Sequence, residues 1–139
     1  MDDPYHLQRF LDAQDTVFDE VCSGLRQGRK SGHWMWFIFP QIRGLGHSHL
    51  ANLYAITSRE EAAAYLEHPI LGPRLRECTQ LVNQVEGRSI EQIFGYPDYL
   101  KFRSSMTLFA HAGAENDVFT HAIGKYFAGE YDRLTIERL

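Results

Sequence analysis

The sequence predicts an all-α protein, a single domain of about seven to nine short helices spanning residues 1–139. Three observations lead there. Apolar residues recur at helical spacing along most of the chain. Capping residues stand just ahead of these stripes. No stretch of any length alternates apolar and polar residues, as a half-buried strand would.

Asp3-Pro4 reads as a helix start. Aspartate accepts the first free backbone N–H groups, and a proline at the first helical position gives up a donor that has no partner there. Leu7, Phe10 and Leu11 follow at helical spacing. A second helix is expected from Asp15, with Val17, Phe18, Val21, Cys22 and Leu25 on one stripe and a stop at Gly28. His33 to Phe39 is apolar and aromatic almost throughout, so periodicity does not separate a buried helix from a buried strand. Its helical neighbours favour helix, and Pro40 ends it in either case. Ser48 caps a short helix carrying Leu50, Leu53 and Tyr54. Ser58-Arg-Glu-Glu61 is a capping-box pattern, in which Glu61 reaches back to the N–H of Ser58. Pro69 disfavours the helical conformation at His68 and ends that helix.

Pro73 begins a longer helix with Leu75, Cys78, Leu81, Val82 and Val85 on one face, closed by Gly87. Ser89-Ile-Glu-Gln92 repeats the capping box ahead of Gly95. Pro97 starts a helix reaching about Ala112, Asn116 caps one that ends at Gly129, and Asp132 caps a last short helix.

Composition narrows the function classes. Hydrophobic residues make up 44% and charged residues 23%, the balance of a packed domain rather than a disordered chain. The net charge of −4 argues against a nucleic-acid partner, which needs a basic face, but leaves room for a local anion site. The longest aromatic run, Trp34 to Phe39, is too short to span a bilayer, so no membrane partner is expected. The first residues, MDDPYHLQRF, lack the apolar centre of an export signal, and a cytoplasmic location follows as the expectation. Cys22 and Cys78 lie far apart and form no C-x-x-C pair; they read as reduced core thiols. Among seven histidines only His47-Ser-His49 has ligand-like spacing, and no further motif accompanies it. No metal and no cofactor are implied.

Two segments carry the candidate chemistry. In the first, from Gly28 to Gly46, Arg29 and Lys30 stand just before Ser31-Gly32, where free N–H groups at a helix start would attract an anion. Trp34 and Trp36 offer flat faces for a ring or a cation, although two tryptophans in an apolar run are most often core. Gln41 follows Pro40 at an element end, where a polar side chain can point into a cleft. In the second segment, Asp98 to Phe109, a helix would place Asp98, Lys101 and Ser105 on one face. Ser104 and Ser105 are poor formers for the middle of a helix, which a bond to the preceding turn would offset. Asp98 is the candidate general base and His33 a second candidate catalytic group.

The chain resembles a family of small, mainly bacterial helical proteins of unknown function. The resemblance runs through Asp3-Pro4 with Leu7-Gln-Arg-Phe10, and Lys30 with His33-Trp-Met-Trp-Phe-Ile-Phe-Pro-Gln41. It continues through Gly44-Leu-Gly46, His68-Pro-Ile-Leu-Gly72 and Lys101-Phe-Arg-Ser-Ser-Met-Thr-Leu-Phe109. It implies an all-α fold and supplies no reaction. Some members carry a calpastatin label; calpastatin segments are disordered inhibitors, unlike this packed composition. A looser similarity, in size, helicity and the aromatic–basic segment, is to the NADAR superfamily, which acts on N-glycosides of the ADP-ribose type. The glutamate expected for that chemistry has no clear counterpart here, and the similarity implies a substrate class only.

Two functions follow as expectations. One is a small-molecule binding protein or hydrolase for an anionic, nucleotide-like or ADP-ribose-like ligand, its pocket joining segments 28–46 and 98–109. Arg29, Lys30, Trp34, Trp36, Gln41, Lys101, Ser104 and Ser105 would hold the ligand. The alternative is a non-enzymatic helical module that binds a protein through exposed Trp34, Trp36, Tyr96 and Tyr99.

Overall fold

Local signals place most of the elements in the computed structural model, which describes residues 2–113 and 115–139. Among these residues ten helices are formed. They are α1 (Gln8–Gln14), α2 (Phe18–Arg26), α3 (Met35–Ile38), α4 (His49–Leu53) and α5 (Arg59–Glu67), followed by α6 (Leu71–Asn83), α7 (Ile90–Phe94), α8 (Asp98–Ala110), α9 (Asp117–Phe127) and α10 (Arg133–Ile136). The count exceeds the expected range because several elements are single turns of four or five residues. Among the described residues no helix is long and apolar enough to cross a membrane. The only sheet-like pairing among the described residues is one parallel bridge between Ile42 and Ile56.

Helix α8 is the axis of the core. Every residue from Ser104 to Ala110 is buried, as a helix covered on all sides requires. Helices α5, α7, α9 and α10 pack around it. Two of its hydroxyls are satisfied locally: Thr107 Oγ1 donates to the Arg103 carbonyl at 2.8 Å and Ser104 Oγ to that of Leu100 at 3.2 Å. Phe39, Phe94 and Phe102 form an aromatic cluster with ring centroids 4.8 to 5.8 Å apart. Cys22 and Cys78 are free and buried, and the Cys22 thiol donates to Glu77 Oε2 at 3.7 Å. The neighbouring thiol draws Cys22 below its ordinary range, and the Cys22 thiol together with burial pushes Cys78 up.

Several helix starts differ from the expected ones, each for a physical reason. Asp3 does cap the first helix, accepting from the N–H groups of Leu7 (2.7 Å) and Gln8 (3.0 Å). The helix itself starts only at Gln8, because His6 takes a positive φ of 52° that interrupts it. Asp15 does not start α2; its N–H continues α1 to Leu11 and its carboxylate takes Arg74 at 2.9 Å. Helix α6 starts two residues before Pro73, because His68 Nδ1 accepts from the N–H groups of Ile70 and Leu71. Asn116 does not cap α9 with its side chain, which donates instead to the Ala110 carbonyl at 2.6 Å. Ser58 caps α5 as expected, but Glu61 turns away from the Ser58 N–H to Thr57 and Arg9. The Ser89–Gln92 box is complete. His33 to Phe39 contains only the single helical turn of α3.

Gly72 shows why the His68-Pro-Ile-Leu-Gly72 motif closes on glycine. A Cβ there would lie 2.1 Å from the Leu66 carbonyl oxygen, so only glycine lets α6 turn back against the end of α5.

Candidate functional site

The two segments singled out in the sequence meet at the start of α8. The backbone N–H of Lys30 donates to the Ile93 carbonyl at 2.7 Å, which ties the segment to α7. Its ammonium donates to the Gly32 carbonyl (2.6 Å), pairs with Asp98 Oδ2 (2.9 Å), and lies 5.2 Å from the Trp34 ring centre. Asp98 stands in the first turn of α8, where a carboxylate complements the helix dipole. Its other oxygen, Oδ1, faces Lys101 Nζ at 3.3 Å. Lys101 in turn lies 5.1 Å from the Trp36 ring centre. One carboxylate is thus held between two ammonium groups, each beside an indole.

A cleft of about 300 Å³ opens beside this clamp, on its Lys101 side. Gln41, Lys101, Ser104 and Asp132 supply its polar walls. Leu45, Leu100 and Leu134 supply apolar ones. The volume is at the small end of the range for ligand pockets. Asp132 enters from the loop before α10. Its Oδ2 accepts from Thr135 Oγ1 (2.5 Å), the Thr135 N–H (3.0 Å) and Ser104 Oγ (3.2 Å). Its N–H donates to Thr107 Oγ1 at 2.9 Å, which fixes the loop on α8. Asp132 Oδ1 and the Gln41 side-chain amide have no hydrogen-bond partner among the described residues.

The other candidate residues do not line the cleft. Arg29 and His33 are exposed. Trp34 is 4% exposed; its Nε1–H donates to the Ser31 carbonyl at 2.8 Å and its ring packs near Phe39. Trp36 is half-buried. Ser105 is fully buried with its Oγ unpartnered. His47 and His49 are exposed, and no group of three metal-binding side chains forms among the described residues.

Asp132 is the residue that sequence reasoning missed. As a helix cap it is fully accounted for in the sequence. A cap consumes one carboxylate oxygen, however, and the second remains available. A larger cleft, of about 450 Å³, lies between α5 and α6. Two of its polar side chains are engaged, since His68 Nδ1 caps α6 and Arg76 donates to the Glu115 carbonyl beside the Phe119 ring, while the Glu67 and Glu115 carboxylates make no hydrogen bond or ion pair among the described residues.

These features define a small all-α protein whose short helices wrap a buried central helix and leave an amphiphilic cleft at its start. The model of the family of proteins of unknown function DUF1810 matches residues 4–139, and the chain belongs to that family. It is the uncharacterised helical family that the residue motifs resemble. The crystal structure of a conserved hypothetical protein from Mycobacterium tuberculosis matches with a TM-score of 0.98. The two chains are 60% identical, over 99% of this chain and 98% of that one. No curated protein matches the chain.

Proposed function

We propose that the cleft beside Lys101 binds a small organic molecule bearing an anionic group. One observation carries this reading: the Lys101 ammonium, the Gln41 amide and Asp132 Oδ1 converge on one cleft with hydrogen-bonding capacity unspent. Ligand pockets combine apolar walls with a few such convergent polar groups. Binding is a better reading than hydrolysis. Both oxygens of Asp98 face ammonium groups, and the residue does not line the cleft, so it is poorly placed as a general base. His33 is exposed and does not line the cleft. In this reading Asp98 and Lys30 hold Lys101 in place, while Trp34 belongs to the core.

The interaction module has less support. It needs Trp34, Trp36 or Tyr96 and Tyr99 on a continuous apolar face; Trp34 is buried, Trp36 and Tyr99 are half-buried, and Tyr96 alone of the four is strongly exposed, at 80%.

A thermal-shift screen against nucleotides, ADP-ribose derivatives, small phosphates, small carboxylates and amino acids tests the proposal. A ligand at a hundred times its dissociation constant stabilises by about 2.7 kcal/mol, a shift of several degrees in a domain of this size. The shift is expected to vanish in Lys101→Met. A screen in which no compound shifts the wild-type protein would overturn the reading in favour of the interaction module.

A further inference from the structure

Charge at the cleft restricts the ligand further, provided the cleft is the binding site proposed above. The charged groups there are Lys30, Asp98, Lys101 and Asp132, and their formal charges sum to zero. Lys30 and Asp98 neutralise each other at 2.9 Å. What remains facing the cleft is one cation, Lys101, and one anion, Asp132. Three donors on Oδ2 stabilise and orient the Asp132 carboxylate, which leaves Oδ1 open to a further donor. A bare phosphate would set its oxygens against Oδ1 with at most a P–OH to donate, whereas a ligand carrying an ammonium brings a charged donor that complements the carboxylate.

We infer that the cleft takes a zwitterion, an α-amino acid with an apolar side chain. Its carboxylate meets Lys101, its ammonium meets Asp132 Oδ1, and the Gln41 amide lies within the same cleft. The side chain would cover Leu45, Leu100 and Leu134, of which Leu100 and Leu134 are 40% and 54% exposed. A volume of about 300 Å³ corresponds to roughly ten water molecules of the liquid. That accommodates an amino acid the size of leucine.

The test is calorimetric titration of the full chain with four compounds: leucine, 4-methylpentanoate (no ammonium), 3-methylbutylamine (no carboxylate) and AMP. Leucine is expected to bind saturably, and the two truncated analogues at least tenfold more weakly. Lys101→Met is expected to weaken leucine at least tenfold. Asp132→Asn keeps an acceptor for the Thr135 N–H, since asparagine caps as well as aspartate, and should abolish the preference for leucine over 4-methylpentanoate. Leucine binding that Asp132→Asn leaves unchanged would overturn the role of Asp132. If that variant melts early, the wild-type comparison decides alone: 4-methylpentanoate binding as tightly as leucine overturns the zwitterion. Binding of AMP, lost in Lys101→Met, with no binding of leucine would overturn the zwitterion and leave the cleft reading standing. Silence from all four compounds would overturn the cleft reading itself, and the zwitterion with it.

Discussion

Two polar clusters in this protein border clefts, and they differ in how much of their hydrogen-bonding capacity is used. In the Arg9–Glu61 pair it is spent, although the His6 and Asn52 side chains that line the same cleft make no hydrogen bond among the described residues. The guanidinium has five N–H donors. Nε donates to the Leu53 carbonyl, Nη1 to those of Tyr5 and His6, and Nη2 to that of Ala55 and to Glu61 Oε2. Glu61 Oε1 accepts from both the N–H and the hydroxyl of Thr57. The two side chains are only 12% and 2% exposed. Their cleft, of about 450 Å³, is larger than the one beside Lys101. At Lys101 the opposite holds: its ammonium has one partner at 3.3 Å, and Gln41 and Asp132 each keep a group free. The difference separates a shielded pair that is saturated by its neighbours from an ammonium that faces its cleft with capacity left over. Spent polar groups hold elements together, and unspent ones are available to a ligand.

The division is easiest to break where the expected effect is largest. Glu61→Leu strands the Arg9 charge in a buried site and removes the acceptor for Thr57. Equilibrium denaturation should show a loss of about 3–5 kcal/mol, the cost of halving a buried ion pair. Lys30→Met is expected to cost less, about 1–3 kcal/mol, because it leaves the Gly32 carbonyl and one Asp98 oxygen without their donor. The smallest effect belongs to Lys101→Met. Its side chain is 27% exposed and its ion pair is long, so stability should change by no more than about 1 kcal/mol. Only this variant should lose ligand-induced stabilisation while keeping its own melting temperature. Equal losses for Glu61→Leu and Lys101→Met would remove the distinction between the two clusters.

How legible all this was in the sequence varies with the range of the interaction. Ser48, Ser89 and Asp132 cap their helices as read, because a cap acts over three residues. Gly28 ends α2 with φ +73°, again a local requirement. Asp3 misled by a few residues, since nothing near it announces the positive φ at His6. Glu61 misled more. The capping-box pattern is present, but Arg9, fifty-two residues away, competes for its carboxylate and wins because both are buried. In the candidate site, the Lys30–Asp98 pair joins two segments that the sequence singles out separately. Their meeting, sixty-eight residues apart, rests on packing alone.

By itself the sequence determined the helical class, most of the breaks between helices, and the two segments that flank the cleft. Periodicity, capping and proline chemistry all act within a few residues, so they are written locally. Only the tertiary structure decided which polar groups are consumed. It spent Arg9, Glu61, Lys30 and Asp98 on one another and on backbone carbonyls. It buried Trp34 and Ser105, and it brought Asp132 round from the last turn to stand beside Lys101. Hydrogen-bonding capacity is settled by neighbours in space, and the neighbours of Lys101 that matter come from three separate parts of the chain.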